Sequence, residues 1–208
     1  GGDPRLEKRI PSPFQIYVKA EGPDFLEIYR RVMTQVPFEL LREISLRFLG
    51  VVAGEQLGRD LADRKAGELE SKKLREEPQR VYELFRQYLL EEGAVFERQA
   101  KEIDRVAGGI DDFRRTLSYL LSQELAMAAY DWLLGREVGL DNAKKLGVSG
   151  PITSAEVGKW AIQLLATLFG RVGRPLVIYI DQYEKLVLDK DGELATQNAG
   201  LLHSLVEV

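Results

Sequence analysis

The chain has 208 residues, of which 45% are hydrophobic and 30% are charged, a balance typical of folded globular proteins rather than disordered ones. It contains no cysteine and a single histidine, His203, so disulfide scaffolds, thiolate metal sites and multi-histidine zinc sites are excluded. With 29 basic and 33 acidic side chains its formal charge is −4, which argues against a uniformly basic nucleic-acid-binding protein. The sequence contains neither an apolar run of about 18 residues nor a signal peptide, so we expect a cytoplasmic protein without a membrane partner.

Residues 1–50 predict one strand followed by two helices. Prolines in the first 13 residues indicate an extended entry segment. Phe14–Ala20 is rich in β-branched and aromatic residues, which favours a strand. Asp24 is a candidate N-cap for a helix that begins at Phe25, and Pro37 divides the helical periodicity that follows into two helices.

Residues 51–134 predict a large α-helical insertion. The charge-rich stretch from Gln56 to Arg80 fits a solvated helical connection better than an arm that touches a partner. From Val81 to Leu134 apolar side chains recur at helical spacing, with a break at two glycines after which Asp111 or Asp112 can cap the next helix. We interpret the apolar stripes as bundle core: Val81, Leu84, Phe85, Tyr88, Leu89, Phe113, Leu117, Leu120, Leu121 and Leu125.

Residues 135–208 predict a helix, a strand and a further helix. Thr153 or Ser154 opens the first of these helices. The run Pro175–Ile180 is apolar on both faces and follows an amphipathic helix, which is typical of a central strand in a parallel sheet. Leu194–Val208 then resumes helical spacing. The sequence therefore predicts an α/β fold, mostly helical by residue count, in which a parallel sheet is flanked by helices.

Acidic and amide side chains follow the apolar strand directly. Asp181 ends it, and Gln182 and Glu184 come next. Open α/β sheets bind their ligands at the carboxyl ends of the strands. In P-loop nucleotide hydrolases an aspartate at such a strand end holds Mg²⁺, and a nearby carboxylate orients the attacking water. The same pattern also occurs at ordinary strand-to-loop junctions, so by itself it permits a nucleotide site without requiring one.

The segment Ile180–Leu186, IDQYEKL, resembles the Walker B segment of STAND-type and related AAA+-like ATPases. The longer stretch Trp132–Leu186 resembles the ATP-binding proteins of BREX-type phage-defence systems, which are similar to origin-recognition ATPases. The resemblance implies a partial P-loop NTPase sheet, with the first strand and helices in residues 1–50, the insertion in residues 51–134, and the Walker B strand with its flanking helices in residues 135–208.

The resemblance also implies a nucleotide-driven switch in defence or DNA-transaction machinery. Asp181 would bind the cofactor as the Mg²⁺ ligand of ATP, and Gln182 and Glu184 would be the catalytic residues that orient the attacking water. The implied partners are further copies of the chain or other ATPase subunits, with DNA reached through the full-length protein.

Two features depart from that pattern. Gln182 stands where many AAA+ enzymes have a catalytic glutamate, and because an amide cannot take up a proton, hydrolysis is slow or Glu184 performs this role. The phosphate-binding sequence GxxxxGK[ST] is absent, and the nearest candidate, Gly158-Lys159, lies inside a predicted helix and is rejected. In the resembling families this loop would lie upstream of Gly1. We therefore expect an internal part of an ATPase core that does not bind ATP tightly alone.

Other interpretations stay open beside this one. The chain can be a non-enzymatic helical interaction or regulatory module with a vestigial nucleotide site, and a helical DNA-binding adaptor is a third candidate. Arg171 and Arg174 suit phosphate or inter-subunit contacts, but solubilising charge explains them more simply. Trp132 and Trp160 are interpreted as core anchors.

Overall fold

The computed structural model describes residues 12–57, 78–88 and 110–188, in which eight helices accompany a two-stranded parallel sheet. The elements are β1 (Phe14–Lys19), α1 (Phe25–Thr34), α2 (Phe38–Leu57), α3 (Pro78–Tyr88), α4 (Ile110–Tyr119), α5 (Ala126–Leu133), α6 (Leu140–Leu146), α7 (Ala155–Arg171), β2 (Leu176–Asp181) and α8 (Glu184–Val187). The prediction of a mostly helical α/β chain is confirmed at this level. None of the described helices is long and apolar enough to cross a membrane.

The sheet has one buried and one exposed face. β1 and β2 run parallel with Phe14 opposite Leu176, so odd-numbered residues share the outer face. On the inner face Ile16 is fully buried. On the outer face the rings of Tyr17 and Tyr179 stack with their centroids 4.7 Å apart, although 66% and 40% of these side chains remain exposed. The predicted parallel strand is confirmed, but among the described residues β2 has one neighbour instead of the two that a central strand requires.

The core lies between the sheet and the helices α1 and α7. Gly158 of α7 permits a close approach, because a Cβ atom there would lie 3.1 Å from Tyr29 Cβ of α1. The buried Tyr29 hydroxyl donates a hydrogen bond to the Leu133 carbonyl and so ties α1 to α5. Trp132 and Trp160 are 1% and 4% exposed, which confirms them as core anchors.

Helix starts follow the predicted capping chemistry. The Asp24 carboxylate accepts a hydrogen bond from the Leu26 N–H at 2.9 Å, and the chain divides into two helices around Pro37. Of the two proposed caps for α7, Ser154 is the N-cap, and its hydroxyl accepts from the Val157 N–H.

The region before α5 differs from the prediction. Asp111 and Asp112 do not cap a helix but lie within the first turn of α4, where carboxylates stabilise the positive end of the helix dipole. The helix predicted to continue through Leu125 ends at Tyr119, and the next helix begins at Ala126. The leucine side chains of the connection are nevertheless buried, because turns keep Leu120, Leu121 and Leu125 against the core.

Several predictions fall outside the described residues. These are the glycine break at 108–109, most of the charge-rich connection, the helix over 194–208 and the residue His203.

Candidate functional site

Asp181 occupies the carboxyl end of β2, on the outer face of the sheet. It lies opposite Lys19, the last residue of β1, and both side chains are exposed. The backbone carbonyl of Asp181 accepts from the Ala20 N–H at 2.9 Å, so pairing with β1 fixes the strand up to its last residue. The carboxylate is therefore held at the edge where parallel sheets bind ligands.

The turn after Asp181 is made by a residue in an unusual conformation. Gln182 has φ +56°. Among the described residues other than glycine, it alone has a positive φ. Tyr183 then precedes the short helix α8, which starts at Glu184 and is anchored by the buried Leu186. The chain returns to helical geometry within three residues of the end of β2. Glu184 is therefore the first residue of α8, and it is exposed.

The three predicted site residues differ in exposure. Asp181 and Glu184 are exposed, whereas Gln182 is half-buried. The Gln182 Oε1 atom is shielded from solvent and has no hydrogen-bond partner in the described part of the chain. In this conformation the two carboxylates can reach a ligand in solution, while the amide oxygen that would orient a water faces the protein.

Asp181 can serve as one carboxylate ligand of a magnesium ion that is bound to a nucleotide. Mg²⁺ in nucleotide sites takes one or two carboxylates, several waters and the substrate's phosphates. Within the described ranges no group of three or more histidine, aspartate or glutamate side chains is placed to hold a metal. A single exposed carboxylate such as that of Asp181 fits an ion that is held chiefly by a bound polyphosphate.

The two edges of the sheet differ in the hydrogen-bond partners of their backbone groups. The Gln35 side chain covers the edge of β1: its Oε1 accepts from the Tyr17 N–H at 3.3 Å and its Nε2 donates to the Tyr17 carbonyl. Arg31 Nη1 donates to the Lys19 carbonyl on the same edge. On β2, the backbone groups of Leu176, Ile178 and Ile180 point away from β1 and pair with no described strand. Within the described chain, side chains therefore cover the edge of β1 at Tyr17 and at the Lys19 carbonyl, whereas no described side chain covers the edge of β2.

The rejected phosphate-loop candidate has a structural role. Gly158 and Lys159 lie in α7, where the glycine allows the contact with Tyr29. Lys159 Nζ lies 4.7 Å from the centre of the Trp160 ring, and partial burial lowers the pKa of this ammonium. No phosphate-cradling loop is formed there.

The arginines near β2 also have structural contacts. The Arg174 guanidinium lies over the Phe14 ring at 5.5 Å, and Arg171 is in the last turn of α7, where a cation complements the helix dipole. Neither contact directs a charge toward Asp181.

Gln35, which covers part of the edge of β1, was missed because an isolated glutamine near a helix end carries no pattern in the sequence.

Comparison with known proteins adds no relative. No family model, curated protein or solved structure matches the chain. The functional conclusion therefore depends on the residues and their geometry.

Proposed function

We propose that the chain is part of an AAA+/STAND-like ATPase that acts as a nucleotide-driven switch in defence or DNA-transaction machinery. The observation that carries the proposal is the exposed Asp181 at the carboxyl end of a parallel apolar strand, followed at once by a turn and by Glu184. This is the place and the chemistry that a magnesium–nucleotide site requires.

The open edge of β2 supports the same proposal. An apolar parallel strand is stable when it has neighbours and is covered on both faces. Because Gln35 already covers the edge of β1, further strands of an ATPase sheet would join at β2, beside Asp181. The phosphate-binding loop would then be supplied by a segment that is not among these 208 residues.

In this site Asp181 would hold Mg²⁺ through water, and the ion would neutralise charge on the transferred phosphate when ATP is bound. Glu184 carries the carboxylate that could accept a proton from the attacking water. Gln182 can only donate or accept hydrogen bonds, and its amide would first have to turn outward. These roles imply slow turnover, which suits a switch better than a rapid enzyme.

ATP turnover by the full-length protein tests the proposal. Replacement of the metal-binding carboxylate, Asp181→Ala, is expected to lower kcat by about 100-fold or more, in the range seen when electrostatic groups are removed from active sites. Asp141→Ala, which removes an exposed carboxylate from α6, is the matched control and should leave kcat unchanged. Equal ATP turnover by wild type and Asp181→Ala would contradict the proposal.

A second candidate is a helical interaction module with a vestigial nucleotide site. Absence of GxxxxGK[ST] from the full-length protein would favour this alternative, and the 208 residues contain no such sequence. A full-length protein that binds no ATP would support this alternative.

A further inference from the structure

Lys19 stands beside Asp181 at the carboxyl end of the sheet. The two residues end β1 and β2 and lie opposite each other in the register, so their Cα atoms are one strand spacing, about 4.8 Å, apart. Both side chains are exposed, and both residues belong to the outer face. A cation and a carboxylate are therefore presented side by side at the edge where a parallel sheet binds ligands.

The backbone at Lys19 is held by α1 on one side and by β2 on the other. Arg31 Nη1 donates to the Lys19 carbonyl at 3.3 Å, and the N–H of the next residue, Ala20, donates to the Asp181 carbonyl at 2.9 Å. Ala20 is fully buried. The attachment point of the lysine is thus fixed relative to Asp181, while its flexible four-carbon stem allows the ammonium group to follow a ligand.

The acidic side chains that follow β1 are paired with a different cation. The Glu21 carboxylate lies 2.7 Å from Arg31 Nη2, and the Glu27 carboxylate lies 2.9 Å from Arg31 Nε. Lys19 forms no ion pair with Asp181 or with any other residue that the structure describes. The ammonium group of Lys19 is therefore available to an anionic ligand at this end of the sheet.

We propose that Lys19 binds the terminal phosphates of the nucleotide whose magnesium ion is held at Asp181. This inference rests on the proposed function. The ion would offset the charge of the Asp181 carboxylate, so the phosphate oxygens would become the counter-charge of the lysine. In P-loop sites the lysine of GxxxxGK[ST] binds the β- and γ-phosphates, and these 208 residues lack that sequence. Lys19 would supply a cation to the same phosphates from the strand beside Asp181.

Nucleotide titration of the full-length protein in Mg²⁺, by isothermal titration calorimetry, tests this assignment. Lys19→Gln should weaken ATP binding by about tenfold or more, because a charge-assisted contact with phosphate is lost. AMP lacks the terminal phosphates and should bind Lys19→Gln and wild type alike. Lys19→Arg keeps the positive charge and should retain most of the ATP affinity.

Lys144→Gln is the matched control, because it removes an exposed lysine from α6, outside the sheet, and it should leave ATP affinity unchanged. The assignment is overturned if Lys19→Gln binds ATP as tightly as wild type, if it weakens ATP and AMP binding equally, or if Lys19→Arg is as weak as Lys19→Gln. In each of these cases, loss of the Mg²⁺-dependent gain in ATP affinity by Asp181→Asn would leave the proposed function standing. Absence of ATP binding by the wild type would overturn both.

Discussion

At the residue scale, Gln182 combines two unfavourable features at the candidate site. Its backbone lies in the left-handed region, at φ +56°, and its side-chain oxygen is buried without a described partner. A side chain with a Cβ atom in this region costs about 1–2 kcal/mol, and such costs concentrate at functional sites. The sharp turn between Asp181 and α8 depends on this backbone conformation. The conformational free-energy cost at Gln182 therefore accompanies the placement of Glu184 near the end of the strand.

Replacement of this residue by glycine tests the backbone cost. Gln182→Gly is expected to raise the free energy of unfolding by about 1 kcal/mol, because glycine adopts positive φ without a steric penalty. The melting temperature should rise by about 2–4 °C for a chain of this size. Differential scanning calorimetry of the two proteins measures the change.

The neighbouring residue supplies the control. Tyr183 is exposed and has φ −57°, so Tyr183→Gly gains nothing from positive φ and should lower the melting temperature. If Gln182→Gly is destabilised as much as Tyr183→Gly, the left-handed residue is not a source of strain.

At the scale of the elements, the unequal edges of the sheet are the main finding. An unpaired strand edge pairs readily with another chain unless charges, prolines or covering groups block it. Gln35 blocks the edge of β1 by bonding both backbone groups of Tyr17, whereas the described β2 residues before Asp181 include no charge. One open edge allows two copies to pair, while two open edges would allow a growing array.

Removal of the covering side chain should therefore increase self-association. Gln35→Ala exposes the Tyr17 backbone, and sedimentation velocity at equal protein concentration should show a shift to species heavier than those of the wild type. Thr34→Ala is the control, since its hydroxyl donates only to the Arg31 carbonyl on its own helix. Identical sedimentation of Gln35→Ala and wild type would mean that the β1 edge is not reactive.

Local chemistry made most of the elements predictable. Proline and capping residues act within a few positions of the chain, so the start of α1, the division before α2 and the start of α7 followed from Asp24, Pro37 and Ser154. The short helix α6 was missed, because its 7 residues are too few for apolar periodicity to be recognised. The end of α4 at Tyr119 was also missed, because the leucines that follow it continue the apolar pattern although they lie in turns.

At the scale of the whole molecule, the candidate site contains the carboxylates that we propose for a nucleotide site, and the sequence has no GxxxxGK[ST] loop to accompany them. The position of Asp181 at a strand end was predictable, because an apolar run followed by an acid is typical of a strand and its exposed terminus. The buried amide oxygen of Gln182 was not predictable, since burial depends on the folded surroundings. The edge covered by Gln35 was not predictable either, since Gln35 bonds Tyr17 across 18 positions of the chain. The same holds for the loop after α6, where Arg115 and Asp112 bond Gly147 and Ser149 across more than 30 positions of the chain.

We propose Asp181 as the magnesium ligand of a bound nucleotide. The most direct measurement is the ATP affinity of the full-length protein, by isothermal titration calorimetry, with Mg²⁺ and with EDTA, for wild type and Asp181→Asn. We predict that Mg²⁺ tightens ATP binding by about tenfold or more in the wild type, and that Asp181→Asn loses this gain while its affinity in EDTA is unchanged. An equal gain from Mg²⁺ in both proteins, or no ATP binding by either, would contradict the account.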